Sequence, residues 1–291
     1  MTTANDQWMP LEIGEDEIET FTALSADVPE HLYRSLWSWI FARFSRGNSS
    51  GIGGPLFNVE MARTCERVLK ISIADGGPYD DLSFRALQTA VAGPAVRTWR
   101  LVDFLASDLP SRAGALEELS RMLLQSGAVY EVRTRQGKPG LLRRVPEGVQ
   151  AAAEAAFQKP NAGKRLGTAW EDAFGVNPNP SKAYWFAVKA VEDASAPVVI
   201  PNDSSPTLGK VISRMEQGGQ FNLPNLREDS RASTHDVVLG MMRMLWVGQY
   251  DRHGGLPQSP LPDDVTQKEA ESAVLLAVTL VGWFESGHIQ Q

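Results

Sequence analysis

Cysteine is nearly absent from this chain. Cys65 stands alone, which excludes an intrachain disulfide and a thiolate-held metal cluster. It lies in an apolar-periodic segment and is expected to be a buried structural thiol. Histidine is scarce as well: His31, His235, His253 and His288 are too scattered to suggest a metal site by spacing. No phosphate loop of the form GxxxxGK[ST] and no GxSxG elbow occurs, and Gly51-Ile52-Gly53-Gly54 lacks the flanks of a nucleotide fold. These gaps argue against zinc and nucleotide chemistry, so no metal and no cofactor is expected.

Long apolar runs are missing too. The longest nearly apolar stretch, Ala273 to Phe284, is too short to span a bilayer and is expected to be a buried core helix. In place of a basic-then-apolar leader the N-terminal stretch carries Glu12, Glu15, Asp16, Glu17 and Glu19. A cytoplasmic protein without membrane contact is expected. The net charge of −7 argues against non-specific nucleic-acid binding over the whole surface, while leaving room for a local basic groove. With 291 residues, 43% hydrophobic and 22% charged, the chain can fold as one large domain or two ordinary ones.

What is present is mostly helical periodicity. Pro29 opens a segment with Leu32, Leu36, Trp37, Ile40, Phe41 and Phe44 at helical spacing, and Asn58 can cap a helix bearing Met61, Cys65, Val68 and Leu69. Further helices are expected near 80–92, 95–107 and 111–126. The character changes at Gly127: Ala128 to Val132 and Leu141 to Val145 are strand-like, with Gly137-Lys138-Pro139-Gly140 as the turn between them. This hairpin concentrates Arg133, Arg135, Lys138, Arg143 and Arg144, either as a solvated face or as a surface contacting RNA phosphates.

Beyond Pro146 the pattern is helical again. Leu166, Ala169, Trp170, Ala173 and Phe174 form one face that Gly175 can end; Asn179-Pro180 opens the next helix, and Ser205-Pro206 the one after. Ser233 with Asp236, and Thr266 with Glu269, have capping-box spacing ahead of two strongly apolar segments, Val237 to Val247 and Ala273 to Phe284. Segments this apolar are expected at the centre of a bundle. The expected organisation is a mostly α protein: a helical N-terminal domain at 1–126, a β-hairpin connector at 127–145 and a helical bundle at 146–291.

Between those two apolar segments lies Asp251-Arg252-His253-Gly254-Gly255. Imidazole titrates near neutrality, and a guanidinium offers a fork of donors matched to phosphate oxygens. An Arg–His pair can therefore serve RNA cleavage, where a 2′-hydroxyl loses a proton and the attacked phosphate gains charge. Equally, Asp251 and Arg252 can pair at a helix end while His253 meets terminal carbonyls.

The C-terminal half resembles the C-terminal domains of bacterial abortive-infection proteins, within the wider HEPN-like group of helical domains. The resemblance rests on Ala169-Trp170-Glu171, on Asn179-Pro180 with Ser181-Lys182-Ala183-Tyr184, and on Ala187-Val188-Lys189-Ala190-Val191-Glu192. It continues through Thr207-Leu208-Gly209-Lys210-Val211, Asp251-Arg252-His253-Gly254, and Glu269-Ala270-Glu271-Ser272-Ala273-Val274 to Thr279-Leu280-Val281. These motifs span about residues 145–287, roughly half the chain.

The resemblance implies a HEPN-like bundle, often a homodimer, acting in phage defence as a metal-independent endoribonuclease or a toxin-type effector, with RNA as substrate and an antitoxin as possible partner. His253 would be the general acid or base, Arg252 the phosphate clamp and Asp251 the residue that orients one of them, while Lys189 and Glu192 would brace the cluster. The chain departs from the family pattern of an Arg four to six residues before the His. Position 247 is Val247, and Arg243 lies ten residues before His253, about 15 Å along a helix. Arg252, or a residue from a second subunit, would have to replace it. The alternative is a non-enzymatic helical module whose apolar helices form an interface.

Overall fold

The computed structural model describes residues 14, 17, 22–46, 56–73, 81–108, 113–135, 137–218, 221–225, 227, 229, 231–248 and 264–289. Among these, the chain is mostly helical, with eleven helices and two small antiparallel strand pairs. It divides into two compact units, Met1–Arg144 and Val145–Gln291.

The first unit begins with α1 (Glu30–Phe44), which buries Leu32, Leu36, Trp37, Trp39, Ile40 and Phe44. A minimal strand pair, β1 (Ser45–Arg46) with β2 (Leu56–Phe57), brings Phe57 onto Phe44, with ring centroids 5.7 Å apart. Asn58 caps α2 (Val59–Leu69) as its position predicts, its side chain accepting a hydrogen bond from Met61 N. Then come α3 (Asp81–Ala90), α4 (Ala95–Asp108) and α5 (Ala113–Gln125), close to the expected spans. The buried indoles of Trp39 and Trp99 each donate to a backbone carbonyl, of Ala115 and Ala26 respectively.

The hairpin is β3 (Tyr130–Arg135) with β4 (Lys138–Arg143). Its turn is tighter than the four-residue signal suggests: Gly137 supplies φ +77°, and Lys138, Pro139 and Gly140 already belong to β4. Pro139 is tolerated because each strand of a two-stranded pair is an edge. Arg144 N bonds Val129 O, and counting back in twos from there turns the nitrogens of Pro139 and Leu141 outward. The Leu141 N–H is met there by Asp103 of α4, at 2.7 Å. The expected connector is thus packed into the first unit.

The second unit contains α6 (Glu147–Phe157), α7 (Gly163–Phe174), α8 (Pro180–Val199), α9 (Leu208–Gln217), α10 (Thr234–Val247) and α11 (Gln267–Glu285). Helices α8 and α11 form its centre and pack most extensively on each other. Their buried faces are rich in alanine, with Ala183, Ala187, Ala190 and Ala194 on α8 and Ala270, Ala273 and Ala277 on α11, so the two backbones can approach closely. Asn179 caps α8 and Pro180 opens it, as expected. Thr266 and Glu269 form a complete capping box on α11.

Two expectations are corrected. The cap of α9 is Thr207, whose hydroxyl accepts from Lys210 N, and not the Ser205-Pro206 pair. Ser205 N is instead held by Asp203 in a local turn. And α10, expected at the centre, is peripheral: it packs chiefly on α9 and α11, and leaves Val237, Met244 and Val247 exposed.

Candidate functional site

Asp251, Arg252 and His253 lie outside the described residues, as do Gly254 and Gly255. The helices on either side of them are described. At the end of α10, the Tyr184 hydroxyl of α8 donates to Met244 O at 3.4 Å. The same hydroxyl occupies the space that a β-carbon at Gly248 would need, so any larger residue where α10 ends would have to displace the Tyr184 ring. Burial, then the nearby Glu269 charge, pushes the Tyr184 hydroxyl up to about 12, which keeps it protonated as a donor. Two residues back, the Trp246 ring lies against Gly209 of α9, where a β-carbon would come within 2.7 Å of it. Two close contacts therefore fix α10 against its neighbours.

The pair predicted to brace the cluster is fully occupied elsewhere. Lys189 Nζ lies 2.8 Å from Glu192 Oε1, and Glu192 Oε2 accepts from Leu208 N, the first amide of α9, at 2.9 Å. Glu192 is buried, so it meets the positive end of the α9 dipole with a carboxylate where water cannot. One side chain thereby joins α8 to the start of α9. The neighbouring Asp193 pairs with Arg165 of α7 at 3.0 Å. Burial raises the Asp193 carboxyl, and the Arg165 charge pulls it part of the way back. This cluster ties three helices together; it presents no free nucleophile.

The basic hairpin is also largely engaged. Arg135 Nη2 lies 3.1 Å from Asp103 Oδ2, completing the satisfaction of a carboxylate that burial raises above its usual range. Arg133 pairs with Glu131 at 3.1 Å along its own strand. Arg144 is half-buried, with its Nε 3.4 Å from Tyr130 O, and burial lowers its guanidinium. Burial raises the Tyr130 hydroxyl, and the Arg143 charge pulls it part of the way back. Lys138 is exposed at the turn. Of these five cations, Arg133 and Arg135 are paired with carboxylates, Arg135 across to α4, and Lys138 stands exposed.

Arg243, the other candidate clamp, places Nε and Nη2 at 2.9 and 2.7 Å from Glu216 Oε1 of α9. His235 Nδ1 accepts from Phe221 N, and His31 Nε2 lies 3.1 Å from Ser126 O. Among the described residues no group of three or more His, Cys, Asp or Glu is placed to hold a metal ion. Nor is any described helix long and apolar enough to cross a membrane. Comparison with protein-family models, curated proteins and solved structures found no match.

Two features escaped the sequence reading. Asp103 had a signal: it is a lone acid inside the apolar run Leu101-Val102-Asp103-Phe104-Leu105. The exposed face of α10 had a weak one: Asp236, Gly240 and Arg243 fall along it at intervals of four and three residues.

Proposed function

We propose that this chain is an abortive-infection-type effector of phage defence that works as a helical protein-interaction module, through the exposed face of α10. One observation carries the reading. Val237, Met244 and Val247 are 43%, 63% and 67% exposed along one stripe of a helix whose opposite face is core. Apolar side chains aligned in this way favour contact with another protein surface over contact with water. The assignment to phage defence rests on the sequence motifs of the C-terminal half.

A second reading is favoured by Asp251-Arg252-His253, which follow the end of α10 by four residues. In it the protein is a metal-independent endoribonuclease: His253 moves the proton, Arg252 binds the phosphate and Asp251 orients one of them. Lys189, Glu192, Arg133 and Arg135 add little support to it, since their charges are already paired.

Expression of the full chain in bacteria, with growth and total RNA followed together, separates the two. The interaction reading expects growth arrest that Met244→Glu abolishes and His253→Ala leaves intact, with RNA undamaged. Loss of arrest in His253→Ala, with RNA fragments produced only by proteins carrying His253, would overturn it in favour of the nuclease.

A further inference from the structure

We propose that the outer edge of β3 is a docking strand for an extended acidic peptide segment of another protein, which adds to the hairpin as an antiparallel strand. This goes beyond the role given to α10 and lies wholly within the first unit. The register fixes which groups are on offer. Arg144 N bonds Val129 O, so Glu131, Arg133 and Arg135 turn their amides and carbonyls toward β4, while Val132 and Thr134 turn theirs away from it. Among the described residues no hydrogen bond meets those two amides or those two carbonyls. The preceding outward carbonyl, of Tyr130, takes Arg144 Nε at 3.4 Å, so the open stretch begins at Val132.

The two edges of the hairpin differ. On β4 the outward donors are removed at two successive positions, because Pro139 has no N–H and Asp103 accepts from Leu141 N at 2.7 Å. Blocking of this kind keeps an edge strand from pairing with another chain. At the open positions of β3 no proline stands, Thr134 is exposed and Val132 is half-buried. Two donors and two acceptors repeating at about 7 Å match the main chain of an extended peptide. Phosphate oxygens only accept, and would leave the two carbonyls unmet.

Charge selects the peptide. The hairpin carries Arg133, Arg135, Lys138, Arg143 and Arg144, against the carboxylates of Glu131 on β3 and Asp103 on α4. Positive charge is therefore in excess beside the edge, and Lys138 stands exposed at the turn opposite Arg135, in a chain whose net charge is −7. Acidic side chains on the added strand are attracted and basic ones repelled. With only six residues in β3 the contact is short, so binding is weak and falls with added salt.

Fluorescence anisotropy of a labelled peptide of alternating Glu and Val, titrated with the full chain, tests the inference. The wild type should bind it, and should bind a Lys–Val peptide of the same length at least tenfold more weakly. Thr134→Pro removes one outward donor and no bond of the ladder, so it should weaken binding at least tenfold and leave the melting temperature unchanged. Thr134→Val keeps the amide and should bind as the wild type does. Methylating the backbone nitrogens of the peptide removes donors from the ligand alone, and should cost at least tenfold even if Thr134→Pro fails to fold. A wild type that leaves the acidic peptide unbound overturns the inference, and so does binding indifferent to peptide methylation. Binding of single-stranded RNA in place of the peptide overturns it too, in favour of a phosphate-contacting hairpin.

Discussion

Helices α10 and α11 are both strongly apolar and both begin with a hydroxyl cap, Ser233 and Thr266, yet they occupy opposite positions in the second unit. From Ala273 to Glu285 no residue of α11 is exposed. Helix α10 leaves Asp236, Val237, Gly240, Arg243, Met244 and Val247 on the surface. The difference lies in which residues meet the neighbour. Helix α11 presents Ala270, Ala273 and Ala277 toward a unit whose central helix, α8, is equally rich in buried alanine. Small side chains let the backbones close together, and the larger residues of α11 fill the space around them. Helix α10 is fixed by bulk instead: Trp246 over Gly209, and the Tyr184 hydroxyl against Gly248. Bulky contacts on one face leave the other face uncovered. Apolar content alone therefore does not say which helix is central.

Enlarging a side chain on each helix should break this comparison most sharply. Ala277→Leu inserts three carbons where Ala277 is fully buried, and should destabilise the protein by about 3 kcal/mol, the upper part of the range for overpacking. A chemical melt that shows no loss would mean that the α8–α11 centre has slack to absorb it.

A smaller effect should follow from Tyr184. Its hydroxyl ionises at 10.0 when unperturbed and at about 12 in the folded chain, so the native state keeps its proton longer than the unfolded one. The sign is then set: stability is unaffected below pH 10, and falls as pH rises through the window from 10 to about 12. Tyr184→Phe should abolish that part of the alkaline loss, since phenylalanine has no proton to lose. Wild-type and Tyr184→Phe stability curves that stay parallel from pH 9 to 12 would sink the assignment.

The smallest effect has the opposite sign. Gly240→Ala on α10 meets open space, and should stabilise the protein by about 0.5–1 kcal/mol through helix propensity alone. A destabilisation measured in the same melt would show that the α10 face is covered within the chain, and would remove the basis for its proposed contact.

Caps and turns were the parts most legible in the sequence. Asn58, Asn179, Ser233 and Thr266 each accept from an amide three residues on, a bond written within four residues of chain. The Ser205-Pro206 signal failed by two residues, because Thr207 offers a competing cap and Asp203 captures Ser205. The hairpin turn failed for a related reason: glycine and proline clustered over four positions, and only Gly137 adopts the left-handed conformation. The predicted site was less legible. Its supporting residues were chosen for charge, and charge does not reveal whether its partner is a ligand or another part of the fold. Glu192 finds an amide 16 residues away, and Asp103 finds partners 32 and 38 residues away.

The sequence by itself determined the helical class, the start of most helices and the presence of a hairpin, because each depends on bonds between near neighbours and on a period of 3.6 or two residues. Tertiary structure alone decided that α8 and α11 form the centre, that Arg135 of the hairpin pairs with Asp103 of α4 and that α10 keeps an apolar face outside. Those outcomes depend on which surfaces meet across long stretches of chain, and a residue's own neighbours in sequence carry no record of that choice.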